Sequence, residues 1–197
     1  MTDTELIDRF LDGDITAFNR LTRKWESAAF NFILRYVGDR EEAKDLCQKT
    51  FIRVYKGLRR LRERDRFPTW FYRIALNTCR DAVRVRQRQP IISMDALEED
   101  ERDQVPELAT SRLSSPDSFA HRRGVRELLN EALQSIPEEQ RVVVVMKEYQ
   151  GLKFWEIAEV LKIPINTVKS RMYYGLNALK KVFDRWNIDE EMVRYEL

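Results

Sequence analysis

The chain has 197 residues, 35% charged and 43% hydrophobic, with a net charge of only +2. That length holds one large domain or two small ones, and the composition suits a soluble, helix-rich protein. It lacks the roughly 18 consecutive apolar residues of a membrane span, and its N-terminus has no signal-peptide pattern. Cys47, Cys79 and the single histidine, His121, offer neither metal-ligand spacing nor a nucleophile–base triad. The six glycines form no phosphate-cradling loop. No catalytic residue, metal or cofactor is therefore expected, and the setting reads as a reducing cytoplasm.

The small net charge conceals an asymmetry. Residues 1–89 carry +7, residues 90–124 carry −4 and residues 125–197 carry −1, as in three pieces with different partners. The first piece reads as helices throughout. Leu6, Ile7, Phe10 and Leu11 make a short apolar face that Gly13 ends. Asp14 can cap the next helix, whose buried stripe is Phe18, Leu21, Trp25, Ala29, Phe32, Ile33 and Tyr36. Gly38 stops it and Asp39 can cap a third, in which Leu46, Thr50, Phe51, Val54, Tyr55 and Leu58 recur at helical spacing. Opposite that stripe lie Glu41, Glu42, Asp45, Gln48, Lys49 and Ile52, readable either as i,i+4 charge patterning or as a surface for a partner helix.

A basic loop, Arg59 to Arg66, leads to a fourth helix that opens near Thr69 and ends in Arg84-Val85-Arg86-Gln87-Arg88. Trp70, Phe71 and Tyr72 follow the arginines directly, and Asn77 lies near the face of Arg73 and Arg80. Arginines that neutralise phosphates beside aromatics that stack on bases are what unpaired nucleic acid requires. The alternatives are a solvated charge run for the arginines and a core position for the aromatics, the latter favoured for Phe71.

From Pro90 to about Arg123 periodicity disappears, with three prolines and the acidic run Glu98-Glu99-Asp100-Glu101. This is the composition of a linker, and its length argues for two domains. Helices resume with Leu128, Leu129, Ala132, Leu133 and Ile136, and Pro137 opens another with Glu138 and Glu139 in its first turn. The apolar run Val142 to Met146, read between that acidic start and the stop at Gly151, is expected as a buried helix rather than a strand.

Residues 154–173 have the spacing of a helix-turn-helix. Ala158 and Val168 stand where two short helices approach closely, and Ile157, Leu161, Ile163 and Met172 complete a small core. Pro164 suits the start of the second helix, and Lys162 occupies the turn position where glycine is common. Asn166, Thr167, Lys169, Ser170 and Tyr173 fall on the outer face, within reach of bases or phosphates. The alternative is an ordinary helical hairpin with a polar face. The stripe continues through Leu176, Leu179 and Phe183, and the tail to Leu197 has no assigned role.

The segments DREEAKDLCQKTFIRVYKGL and FPTWFYRIALNTCRDAVR, then a linker, then IPEEQRVVVVMKEYQGLKFWEIAEVLKIPINTVKSRMYYGLNALKK, resemble the extracytoplasmic-function sigma factors of bacteria. The resemblance spans nearly the whole chain apart from the acidic linker and the last dozen residues. It implies an all-α fold with two domains, residues 1–89 and 124–184, a linker over 90–123 and a tail over 185–197. It implies promoter-specific initiation by RNA polymerase, and as partners the core enzyme, promoter DNA and an anti-sigma factor able to hold a cytoplasmic protein at the membrane.

Residue by residue, the resemblance assigns Asp45, Leu46, Gln48, Phe51 and Ile52 to the clamp helices of the polymerase's largest subunit. The second domain is assigned to the flap of the second-largest subunit. Arg62, Arg64, Arg66, Trp70, Arg73, Asn77 and Arg80 correspond to capture of the minus-ten element. Asn166, Thr167, Lys169, Ser170, Arg171, Tyr173 and Tyr174 correspond to the minus-thirty-five element. Two positions depart from the family pattern: Lys49, where glutamate is usual, and Tyr174, often basic. The acidic linker matches the family's connector near the polymerase active centre, where its charge can mimic nucleic acid. The competing function is a helix-turn-helix regulator that binds duplex DNA independently of polymerase.

Overall fold

The computed structural model describes residues 1–88 and 118–186 and, among them, is entirely helical. The expected acidic run at Glu98 to Glu101 and nearly all of the tail lie outside the described residues. Helix α1 (Asp3–Leu11) starts at a capping box in which Thr2 and Glu5 satisfy each other's backbone N–H groups. Helix α2 (Ile15–Val37) is capped by Asp14, whose carboxylate accepts the Thr16 N–H at 3.0 Å. It ends at Gly38 with φ +84°, a left-handed conformation that costs glycine little. Helix α3 (Arg40–Gly57) opens on Asp39, which accepts the Glu42 N–H at 2.7 Å. Two 3₁₀ turns, Leu58–Arg60 and Arg64–Arg66, fold the basic loop. Helix α4 (Phe67–Arg88) follows directly, two residues before the expected start, because Phe67 is itself fully buried.

Helix α5 (Ser118–Gln134) begins inside the expected linker. Helix α6 (Glu138–Val144) runs on as a single π-helical turn, Val145–Tyr149. All five residues from Val142 to Met146 are at most 2% exposed, so this apolar run is a helix buried all round. Helices α7 (Phe154–Leu161) and α8 (Ile165–Arg185) form the helix-turn-helix. Gly175 lets α8 lie close against α6, since a Cβ there would stand 2.9 Å from Val144 Cγ2.

The N-terminal core is aromatic. Trp25 packs on Phe67 and Phe71 with ring centroids 5.2 and 4.9 Å apart, and Tyr72 meets Phe32 at 5.3 Å. Buried apolar residues of both halves belong to one continuous cluster. The halves therefore pack against each other, α5 and α6 on α2 and α7 on α4. No helix among the described residues is long and apolar enough to cross a membrane.

Candidate nucleic-acid interface

On α4, Trp70, Arg73, Asn77 and Arg80 recur at three- and four-residue intervals and so share one face. Asn77 is exposed, and Trp70, Arg73 and Arg80 are half-buried. Trp70 leans over Gly57, where an added Cβ would stand 3.0 Å from the indole, and packs on Phe67 at 6.0 Å. Phe71 and Tyr72 are core residues, at 0% and 4% exposure. The loop arginines differ among themselves. Arg62 is exposed, Arg64 is paired with Asp8 of α1, and Arg66 bonds Glu63 at 2.6 Å and Glu159 of α7 at 3.3 Å. Arg80 pairs with Glu138 of α6 at 3.2 Å. The basic surface expected for DNA is thus partly occupied by carboxylates of the other half.

The second candidate surface lies on α8. Ile157 and Val168 are fully buried and Met172 nearly so, while Ala158, Leu161 and Ile163 pack at the edge of that core. Glu156 accepts the Lys153 N–H at 2.6 Å and fixes the start of α7. Lys162 has φ +56°, the one non-glycine left-handed residue among those described; the turn geometry demands it despite the side chain. Asn166, Lys169, Ser170, Tyr173 and Tyr174 are exposed and Thr167 is half-buried. The Ser170 hydroxyl donates to the Asn166 carbonyl at 2.9 Å. The two tyrosine rings meet edge to face at 5.6 Å. Arg171 departs from this group: its guanidinium turns back to Glu139 at 2.5 Å, because that part of α8 faces α6.

On α3, Asp45, Gln48, Lys49 and Ile52 are all exposed, with Lys49 bonded to Asp45 at 2.9 Å. Leu46 is 2% exposed and Phe51 packs on Phe71 at 5.7 Å. These two hold the helix in place; the polar residues and Ile52 form its outer surface.

Sequence reading missed the seam between the halves. The Tyr36 hydroxyl donates to Glu138 Oε1 at 2.6 Å, and the Tyr72 hydroxyl to Gln150 Oε1 at 2.6 Å. Burial, and for Tyr36 the Glu138 hydrogen bond and charge, push both phenols well above their ordinary pKa, so they remain donors. Asn130 and Gln134 donate to the carbonyls of Gly38 and Arg35 at 3.1 and 2.9 Å. The Arg35 guanidinium lies 4.0 Å from the centre of the Tyr149 ring. No sequence signal marks these pairs, since the partners stand far apart in the chain; Tyr36 reads locally as a stripe residue and Glu138 as a first-turn residue.

Residues 21–89 match the sigma-70 region 2 family and residues 126–179 the sigma-70 region 4 family. The RNA polymerase sigma-H factor of Pseudomonas aeruginosa is 33% identical, over 91% of this chain and 92% of that protein. The ECF RNA polymerase sigma-E factor of Escherichia coli K12 is 31% identical, over 91% and 93%. Among solved structures, the sigma factor RpoE of Bartonella quintana, in complex with the anti-sigma factor NepR, shares the fold with a TM-score of 0.66 at 19% identity, covering 86% of this chain and 98% of that one. CnrH, in complex with the cytosolic domain of CnrY, does so at 0.65 and 22%, covering 93% and 97%. With both regions in order along one chain and relatives similar over nearly their full length, this protein belongs to the extracytoplasmic-function sigma factors of the sigma-70 family.

Proposed function

We propose that the chain binds RNA polymerase core enzyme and directs initiation at a defined set of promoters, opening DNA without nucleotide hydrolysis and catalysing no reaction itself. The observation that carries this reading is the presence on one chain of two unlike exposed faces whose chemistry suits DNA. The α8 face offers an exposed helix for a duplex groove, with Lys169, Tyr173 and Tyr174 among its exposed residues. The α4 face offers Trp70, Arg73 and Asn77 for a base that has left the stack. Unstacking costs a few kcal/mol, which a base pocket and aromatic stacking at roughly 1–3 kcal/mol per base can offset. A regulator that reads only duplex DNA leaves the α4 face without a task.

Within this reading residues 1–89 serve core binding and the minus-ten element, and residues 124–184 the minus-thirty-five element. Asp45, Gln48 and Ile52 meet the polymerase clamp helices; Leu46 and Phe51 support them from the core. Arg171 docks α8 on α6 instead of reaching DNA. An anti-sigma factor would restrain the chain in the cytoplasm or at the membrane. The test is transcription with purified core polymerase on a genomic promoter library. Initiation from a defined subset is expected, and sequence-specific duplex binding with no polymerase-dependent transcript would establish the regulator instead.

A further inference from the structure

We infer that helix α1 braces the basic loop Arg59 to Arg66 for base capture, with Asp8 acting as a positioning residue through Arg64. The inference rests on reading that loop and α4 as the minus-ten surface. Helix α1 lies wholly before residue 21, where the match to sigma-70 region 2 begins, and contributes no residue to either candidate DNA-facing helix.

One face of α1 is locked into the core. Leu6, Ile7 and Phe10 are at most 5% exposed, and the Phe10 ring meets Phe18 of α2 and Tyr55 of α3 at 5.3 and 5.4 Å. Asp8 stands off that face, exposed, and pairs with Arg64 in the second 3₁₀ turn. Arg64 Nη1 also donates to the Arg62 carbonyl at 3.2 Å, so one guanidinium ties the loop to α1 and to itself. The other end of α1 reaches the start of α4 through a second route. Asp3 accepts from Trp25 Nε1 at 3.2 Å, and Trp25 packs edge to face on Phe67. A helix fixed by its own apolar face thus holds both the middle of the loop and its junction with α4.

This geometry divides the loop arginines by task. Arg64 Nε is buried, and the side chain is turned to the Asp8 carboxylate, which already neutralises it. Arg62 is exposed, and its carbonyl is the one that Arg64 holds. Arg62 is therefore the cation presented to a phosphate, and Arg64 fixes where it is presented. A loop already in its binding conformation spares the ordering cost when a base arrives. The Asp8 side chain is 51% exposed, and an exposed pair adds little to global stability. The same free energy, applied to a loop with two arrangements, shifts their ratio by up to roughly fivefold.

The test uses holoenzyme reconstituted with purified core polymerase, on templates that differ only in the captured minus-ten base. Asp8→Asn should slow promoter opening, followed by permanganate reactivity against time, by roughly two- to fivefold. It should also narrow the difference in rate between the templates, which a merely destabilised chain would not do. Arg64→Gln should act alike, and the double variant should be no worse than either single one, because all three remove one pair. Asp8→Glu keeps the carboxylate and should recover most of the rate. The salt slope of holoenzyme affinity for a single-stranded minus-ten oligonucleotide should fall by about 0.7 in Arg62→Gln and stay unchanged in Arg64→Gln. Should Arg64→Gln fold poorly, Arg64→Lys replaces it, keeping the charge but losing the fork that reaches the Arg62 carbonyl. Opening and base preference of Asp8→Asn equal to wild type, additive losses in the double variant, or a slope lost with Arg64 would each overturn the brace. Wild-type holoenzyme that initiates nowhere would defeat the sigma-factor reading; normal initiation that ignores Asp8 would defeat only the brace.

Discussion

Lys169 and Arg171 are two residues apart on α8, both basic, and the resemblance assigns both to DNA. Geometry divides them. Lys169 is exposed on the outer face, whereas the Arg171 side chain is 23% exposed and bonded to Glu139 at 2.5 Å. Each phosphate neutralised contributes about 0.9 to the slope of log affinity against log salt. Lys169→Ala should therefore flatten that slope by about 0.9. Between 50 and 200 mM salt, a fourfold range, wild-type affinity falls about 3.5-fold further than the variant's. Arg171→Ala should leave the slope unchanged and instead weaken the docking of α8, by about 0.2–1 kcal/mol for an ion pair with one exposed partner. The assay is fluorescence anisotropy of reconstituted holoenzyme on a labelled minus-thirty-five duplex at four salt concentrations, with denaturant unfolding of each free variant alongside. Equal loss of slope in both variants would refute the division, and an unchanged slope for Lys169→Ala would remove that residue from the DNA surface.

Asn77→Ala, at an exposed position on the α4 face, should spare duplex binding by holoenzyme yet impair promoter opening; permanganate reactivity of the melted bases checks this, and normal reactivity counts against the role. Burial pushes the Cys47 and Cys79 thiols up to about 11 and about 12, so neither should react with a thiol reagent at pH 7.5 until the chain is unfolded. Because the folded-state values are raised, the native chain holds its thiol protons longer than the unfolded one. Stability from this source is complete below the ordinary thiol value of about 9 and is lost as pH rises towards 11–12. Denaturation midpoints between pH 8 and 11 measure the decline, and a flat profile in that window would contradict it.

Local chemistry made most of the fold legible. Asp14, Asp39 and Gly38 stop and start helices through bonds within a few residues of themselves, so their types sufficed. The run from Val142 to Met146 was decided by its flanks, not by its own residues, which suit a strand equally well. The start of α5 at Ser118 falls inside a stretch with the composition of a linker, so periodicity marks no boundary there. The orientation of Arg171 and the half-buried setting of Trp70 depend on which helix lies opposite, and no periodicity encodes that. The seam was the least legible feature. Tyr36 falls in a core stripe and Glu138 in a favourable first turn, and each assignment is correct while omitting the bond that joins them.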